Sequence, residues 1–350
     1  MKTNNFLAVL TLFMLLVLNS CTSDNALIGA PGRDGVDGTD GVAGTASCLA
    51  CHNTQHRDSI TDAYNLSLHG SGTTFARGTD INCARCHSNE GFIDVITTGL
   101  ATPLEAPAFP TRINCTTCHS DHDTFDFAKD GQDYAIRPKN DFTALMLDPS
   151  IVVDLNGPSN LCVNCHQPRT LVPKTTDADV NGDFRITSSR FGPHHGPQSM
   201  TLEGIQGFEI AGSTAYPTRT TGEHRQQSSC VKCHMGESAI ESGEQVGTHT
   251  MNPSLAVCKE CHPSATNFDV NGKRTEIADL LAQLETRLAA RGVLSSSGNA
   301  VPGNYPINLV GAYWNRIYVV EDKSMGVHNY KYVKALLKNS IEYLDLNNPQ

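Results

Sequence analysis

From about residue 275 onward the apolar positions recur at the spacing of one helix face. In "TEIADLLAQLETRLAARG" Ile277, Leu280, Leu281, Leu284 and Leu288 fall together, and Gly292 stands where a left-handed residue ends such a helix. "NLVGAYWNRIYVVED" and "YKYVKALLKNSIEYL" continue the pattern, and Asn329 is placed to cap a helix beginning near Tyr330. Residues 275–350 are therefore expected to form a C-terminal helical segment, a bundle with Trp314 in its core. Residues 47–274 read differently, because Gly, Pro, Asn and Thr interrupt the apolar runs and predict loops and short helical turns. The expected fold class is mainly α with extensive irregular loops.

One further apolar run, Phe6 to Leu18, follows Lys2 and is too short to span a bilayer, so residues 1–20 read as a secretory signal peptide. "LNSC", Leu18 to Cys21, resembles a bacterial lipobox, which makes Cys21 the expected lipidation site and the outer membrane the expected anchor. A plain signal peptide with Cys21 left as a free thiol is the alternative. "GAPGRDGVDGTDGVAG" then places glycine at 29, 32, 35, 38, 41 and 44, the Gly-x-y period of collagen. Pro31 is its single proline, so residues 21–46 are expected to be a lipid anchor and flexible collagen-like linker rather than a trimerising helix.

Composition sharpens the contrast. Hydrophobic residues make up 39% of the chain and Trp occurs once, against 29 Gly and 17 Pro, so the polypeptide reads as short of core-forming material. A net charge of -10 without Lys/Arg clusters argues against nucleic acid.

Of 13 cysteines, 12 sit in one repeated pattern, Cys-x-x-Cys-His: Cys48/Cys51/His52, Cys83/Cys86/His87, Cys115/Cys118/His119, Cys162/Cys165/His166, Cys230/Cys233/His234 and Cys258/Cys261/His262. Disulfides within so short a loop would leave the adjacent histidines unexplained. The pattern is the c-type haem attachment signal, in which two thiols add to the two vinyl groups of one porphyrin and the next residue supplies the proximal imidazole. A redox dithiol or half a zinc site would account for one copy, not for six in an exported chain. The expected cofactors are thus six haem c groups, with residues 47–274 wrapped around them and the C-terminal segment packed on them.

Each iron has a sixth position, and the remaining histidines are His56, His69, His122, His194, His195, His224, His249 and His328. Six would make every site bis-histidine. His224 and His249 precede motif cysteines in "GEHRQQSSCVKCHM" and "THTMNPSLAVCKECHP"; His69 lies among small residues in "SLHGSG"; His328 stands beside the Asn329 cap. His122, three residues after His119, is expected at a different haem from its own motif's. His194 and His195 are expected to supply one ligand between them, taken as His194, and His56 is left spare.

The motifs "CVKCHM", "GPHHGPQ" and "LCVNCHQ", with the end segment "EDKSMGVHNYKYVKALL", resemble those of multihaem c-type cytochromes, specifically the secreted bacterial group related to tetrahaem cytochromes and pentahaem ammonia-forming nitrite reductases. The resemblance covers most of residues 47–345. It implies a hexahaem cytochrome architecture. In the nitrite reductases a motif lysine replaces the proximal histidine at the catalytic haem; no Cys-x-x-Cys-Lys occurs here.

The expected function is electron transfer to another redox protein or an extracellular acceptor at the cell surface, by a carrier rather than an enzyme. Two alternatives stand beside it: an oxidoreductase reducing a small nitrogen or sulfur oxyanion, with His194 or His195 as proton donor, and a subunit of a polymerising cytochrome filament. Oligomeric state is left open. A last motif, Asp177-x-Asp179-x-Asn181-Gly182, matches the start of a Ca2+-binding EF-hand loop, but Ser188 stands where the closing Glu belongs, and a turn at Asn181-Gly182 is the plainer reading.

Overall fold

A computed structural model describes residues 46–137 and 140–347. The signal, lipidation and linker expectations, Cys21 included, lie outside the described residues. The chain divides into two compact units, one ending at His56 and one spanning Arg57–Gln350. The first carries helix Ala46–His52.

In the second unit most motifs form single helical turns: α1 (Ile81–His87), α2 (Ser159–Val163), α4 (Cys230–His234) and α5 (Leu255–Lys259), with α3 (Gln198–Glu203) between the second and third of these. Loops and three two-stranded antiparallel ribbons join them: β1 (Phe142–Thr143) with β2 (Val152–Val153), β3 (Asp183–Ile186) with β6 (Gly303–Pro306), and β4 (Ala239–Glu241) with β5 (Glu244–Val246).

Three long helices follow: α6 (Lys273–Ala290), α7 (Ile307–Asp322) and α8 (Tyr330–Leu346). α6 buries Ile277, Leu281, Leu284 and Leu288, the face its periodicity predicts, and Gly292 takes a left-handed φ of 70° just beyond its end. α7 is buried nearly all round and runs through the middle of the cluster, with Trp314 and Tyr318 fully buried. α8 starts where Asn329 accepts a hydrogen bond from the Tyr332 N–H, as the cap predicts.

The buried side chains of these helices form one continuous cluster with Ile186, Phe208 and Ile210. Residues 205–216 are irregular, yet their backbone is satisfied. Asn315 accepts from Phe208 N at 2.7 Å and donates to Phe208 O at 2.8 Å, Asn339 does the same for Thr214, and Trp314 Nε1 donates to Gln206 O. Gly311 lets Phe208 lie against α7, since a Cβ there would fall 2.2 Å from the ring. A smaller cluster joins Phe142, Ile151, Val153, Val163, Met200 and Leu202 around the β1–β2 ribbon. The expectation that the polypeptide is short of core-forming material is corrected for the C-terminal segment: its buried apolar side chains gather mainly in the last third, around the expected Trp314. Among the described residues no helix is long and apolar enough to cross a membrane.

Candidate haem-binding sites

A Cys-x-x-Cys-His sequence wound into one helical turn brings its histidine under its first cysteine, four residues earlier. The turn closes as expected: His119, His166 and His262 donate their backbone N–H to the carbonyls of Cys115, Cys162 and Cys258 at 2.8, 2.9 and 2.8 Å. The motif cysteines are all free thiols, half-buried except for Cys115 and Cys261, which are exposed.

The attachment cysteines differ in how they are covered, and Cys261 is among the exposed ones. α5 ends at Lys259, so Cys261 falls in the turn after it, where its backbone N–H donates to the Cys258 carbonyl at 3.2 Å. Its neighbours Lys259, Glu260, Pro263 and Ser264 are exposed as well, because this turn stands at the rim of the unit instead of beneath another element. A thioether formed at Cys261 would lie at the protein surface, whereas Cys258, on the helix, is half-buried.

The second unit then sets non-motif imidazoles opposite motif imidazoles. His69 faces His166 with ring centroids 6.0 Å apart, His249 faces His119 at 6.3 Å, His224 faces His262 at 6.2 Å and His328 faces His234 at 6.3 Å. Metal–imidazole nitrogen bonds are about 2 Å long, so two rings across one ion have centroids about 6 Å apart. The four separations fit an iron between each pair. His69, His224, His249 and His328, all expected as ligands, thus find the third to sixth motifs.

Ring orientation supports the same reading. Nδ1 is held by the Tyr134 carbonyl in His119, the Met251 carbonyl in His234, the Val327 carbonyl in His224 and the Asp322 carboxylate in His328. Gln198 Oε1 stands 3.3 Å from Nδ1 of His166. A proton on Nδ1, donated to those oxygens, leaves the lone pair on Nε2, the atom that a metal binds. Burial keeps several rings neutral: it lowers the pKa of His69 and His234 and, reinforced by His69, pushes His166 down to about 4. His328 shifts the other way, because burial lowers its pKa but the Asp322 charge and hydrogen bond outweigh it.

At the second motif the neighbour is the His194–His195 loop. Arg169 donates to Cys83 Sγ at 3.8 Å through its side chain and to the Pro193 carbonyl at 2.9 Å through its backbone. Burial, Arg77 and His195 lower the pKa of His87, in that order. The two loop rings lie 4.8 Å apart, and Glu321 Oε2 is 2.7 Å from His195 Nδ1. Burial, and next His195, push the His194 pKa down to about 4.

The motifs are close neighbours. Arg85 reaches Asn164 Oδ1 at 3.1 Å, Cys86 Sγ lies 3.9 Å from the Asn164 carbonyl, and Cys165 Sγ lies 3.9 Å from the Arg85 carbonyl. Cys162 and Cys230 are likewise side-chain partners. The second, fourth and fifth motifs therefore form a continuous row, and the Lys232–Glu260 ion pair at 3.0 Å carries it to the sixth.

Cys48, Cys51 and His52 lie on the helix of the first unit. His122 rests between Phe125 and Phe127, at 5.5 and 5.7 Å, with Asp133 Oδ2 3.8 Å from its Nδ1; the ring facing His119 is that of His249. In the EF-hand-like stretch, Asp177 accepts from Lys174 N, and Asp179 accepts from Asn181 N and Asp183 N at 2.8 and 2.9 Å. These carboxylates shape a turn leading into β3. Among the described residues no group of three His, Cys, Asp or Glu side chains is arranged to hold a bare metal ion. The holders of Nδ1, above all Gln198, Glu321 and Asp322, carry no local sequence signal and are learned only from the fold.

No protein-family model matches the chain, and no curated protein matches it. Two solved structures are similar to it. One is the outer cell wall cytochrome OcwA, 19% identical, with 81% of this chain covered and a TM-score of 0.46. The other is an undecahaem cytochrome from the S-layer of Carboxydothermus ferrireducens, 19% identical, with 89% covered and a TM-score of 0.41. The match spans 50% of the first and 39% of the second, so this chain corresponds to half of those proteins or less. Likenesses of this strength carry no argument about its function, which rests on the motifs and the facing imidazoles.

Proposed function

We propose that this protein is an electron-transfer protein holding six haem c groups, one at each Cys-x-x-Cys-His motif. The observation that carries the reading is the set of four motif imidazoles, each faced across 6.0 to 6.3 Å by a histidine from a distant part of the chain. When bound, each haem would supply a one-electron couple between ferric and ferrous iron. The chain's own part is to attach the porphyrin through two thioethers, to present a neutral Nε2 on each side and to keep both rings from turning. Fixed rings favour transfer with little rearrangement. At the third to sixth sites two histidines of the chain would hold each haem and leave no coordination position for a substrate there, which supports a carrier over an oxyanion reductase.

The row of neighbouring motifs supports stepwise transfer between haems. Lipidation at Cys21, the Gly-x-y linker and delivery to an acceptor outside the cell complete the proposal, and they rest on the sequence of residues 1–46. Intact mass and a reduced-minus-oxidised spectrum of the purified protein test the core of it. The expected result is six haem masses added to the mature chain and the sharp visible bands of six-coordinate low-spin iron. A colourless protein, or one with the mass of the bare polypeptide and acyl groups, overturns it.

A further inference from the structure

The end of α7 gathers three histidines that lie in or beside the motifs: His195, His328 and, through Gln198, His166. Glu321 Oε2 lies 2.7 Å from His195 Nδ1, and the next residue, Asp322, places Oδ1 2.7 Å from His328 Nδ1. Gln198 of α3 donates Nε2 to the carbonyls of both residues, at 3.1 and 3.4 Å, while its Oε1 faces His166. Asp322 is fully buried and also accepts from Ser324, whose Oγ accepts the His328 backbone N–H at 3.2 Å. One short stretch thus holds His166 of the fourth motif, His328, which faces His234 of the fifth, and His195, in the loop beside the second.

Its charge is unusual for its place. A helix C-terminus is the negative end of the helix dipole and favours cations, yet α7 closes on two carboxylates and has no basic residue in its last turn. Such an arrangement is offset where each carboxylate accepts a proton polarised by a cation on the far side of the ring. A histidine that ligates iron through Nε2 offers that proton at Nδ1, and a carboxylate partner raises the ring's donor strength more than a neutral carbonyl does.

We propose that Glu321 and Asp322 are positioning residues that lock His195 and His328 with Nε2 toward the iron, make His195 rather than His194 the sixth ligand opposite His87, and hold those two haems at lower potential than a neutral partner would. The proposal rests on the haem-carrying reading above. His194 fits the spectator role: its own φ is 69°, in the left-handed region, which turns the chain so that His195 reaches Glu321.

The test uses the full-length, haem-loaded protein and four variants, Glu321→Gln, Asp322→Asn, His195→Ala and His194→Ala. Haem number is counted by mass, midpoint potentials by spectroelectrochemistry and spin state by electron paramagnetic resonance. Glu321→Gln and Asp322→Asn are each expected to shift one midpoint upward, a different one in each variant, with six haems retained. His195→Ala is expected to convert one haem to high spin and His194→Ala none. Unmoved midpoints in both carboxamide variants, or a high-spin haem from His194→Ala alone, would overturn the clamp while leaving the functional reading intact. A wild-type protein without haem overturns both. Should buried Asp322 prove indispensable for folding, the part-exposed Glu321 and the two histidine variants decide.

Discussion

The last third of the chain and the stretch before it are organised by different means. In α6, α7 and α8 the polypeptide meets itself: Leu284, Leu288, Val310, Trp314, Tyr332 and Leu336 are fully or almost fully buried against one another, and the polar side chains inside, Asn315 and Asn339, are spent on backbone groups. Among the described residues the helices lying wholly between 57 and 270 reach at most ten residues, the second core is small, and large apolar side chains such as Leu68, Phe109 and Phe125 stand 83, 89 and 77% exposed. What recurs there is a motif imidazole facing another imidazole. The helices are built around packed side chains and the motif region around facing imidazoles, so on the proposed haem-carrying reading the first should persist without cofactor and the second should not.

The largest effect expected from this difference follows blocked haem attachment. A full-length chain with serine in place of the twelve motif cysteines should be cut by protease throughout residues 57–180, while a fragment containing α6 to α8 resists. Local stability follows buried apolar contacts, and these are dense only in the latter. Uniform digestion, or protection of both regions alike, would erase the distinction drawn here.

A single substitution should reproduce the contrast on a smaller scale. Leu284→Ala removes a fully buried side chain from the helix cluster and is expected to cost about 2–5 kcal/mol in denaturant unfolding of the haem-loaded protein. Val180, fully exposed on the turn before β3, touches nothing comparable, and Val180→Ser should stay within about 0.5 kcal/mol of the parent. Equal losses for the two would mean that the helix core contributes nothing special.

The same contrast explains what could be read without a fold. The faces of α6 and α8, the Asn329 cap and all eighteen motif residues were legible, because a helix face, a cap and a haem-attachment turn are each written within a few residues. How deeply each motif sits was not, since the exposure of Cys261 depends on which elements pack beside its turn. Composition misled about the core, because an average over 350 residues hides the concentration of apolar side chains after residue 273. The histidines that face the motifs were legible only as a list. His249 meets His119 and His328 meets His234 through chain folding that no local pattern records. The contact between His195 and Glu321 was equally hidden, because the two residues lie far apart along the sequence.

The mildest test changes nothing in the protein and asks which partner sets ring orientation in the motif region. The imidazole planes are steeply crossed in His69·His166 and His224·His262, at 73 and 76°, and much closer to parallel in His119·His249 and His234·His328, at 27 and 36°. With haem bound, parallel rings would donate into the same iron d orbital and split it from its neighbour, whereas crossed rings would treat the two alike. The third and fifth sites should therefore give rhombic low-spin resonances and the fourth and sixth strongly axial ones with a large highest g value. Two such classes in the oxidised protein would mean that backbone carbonyls, Gln198 and Asp322 impose ring orientation even where the fold depends on its cofactors. A single shared class would assign that control to the porphyrins, and the motif region would then be organised by its ligands down to the last torsion.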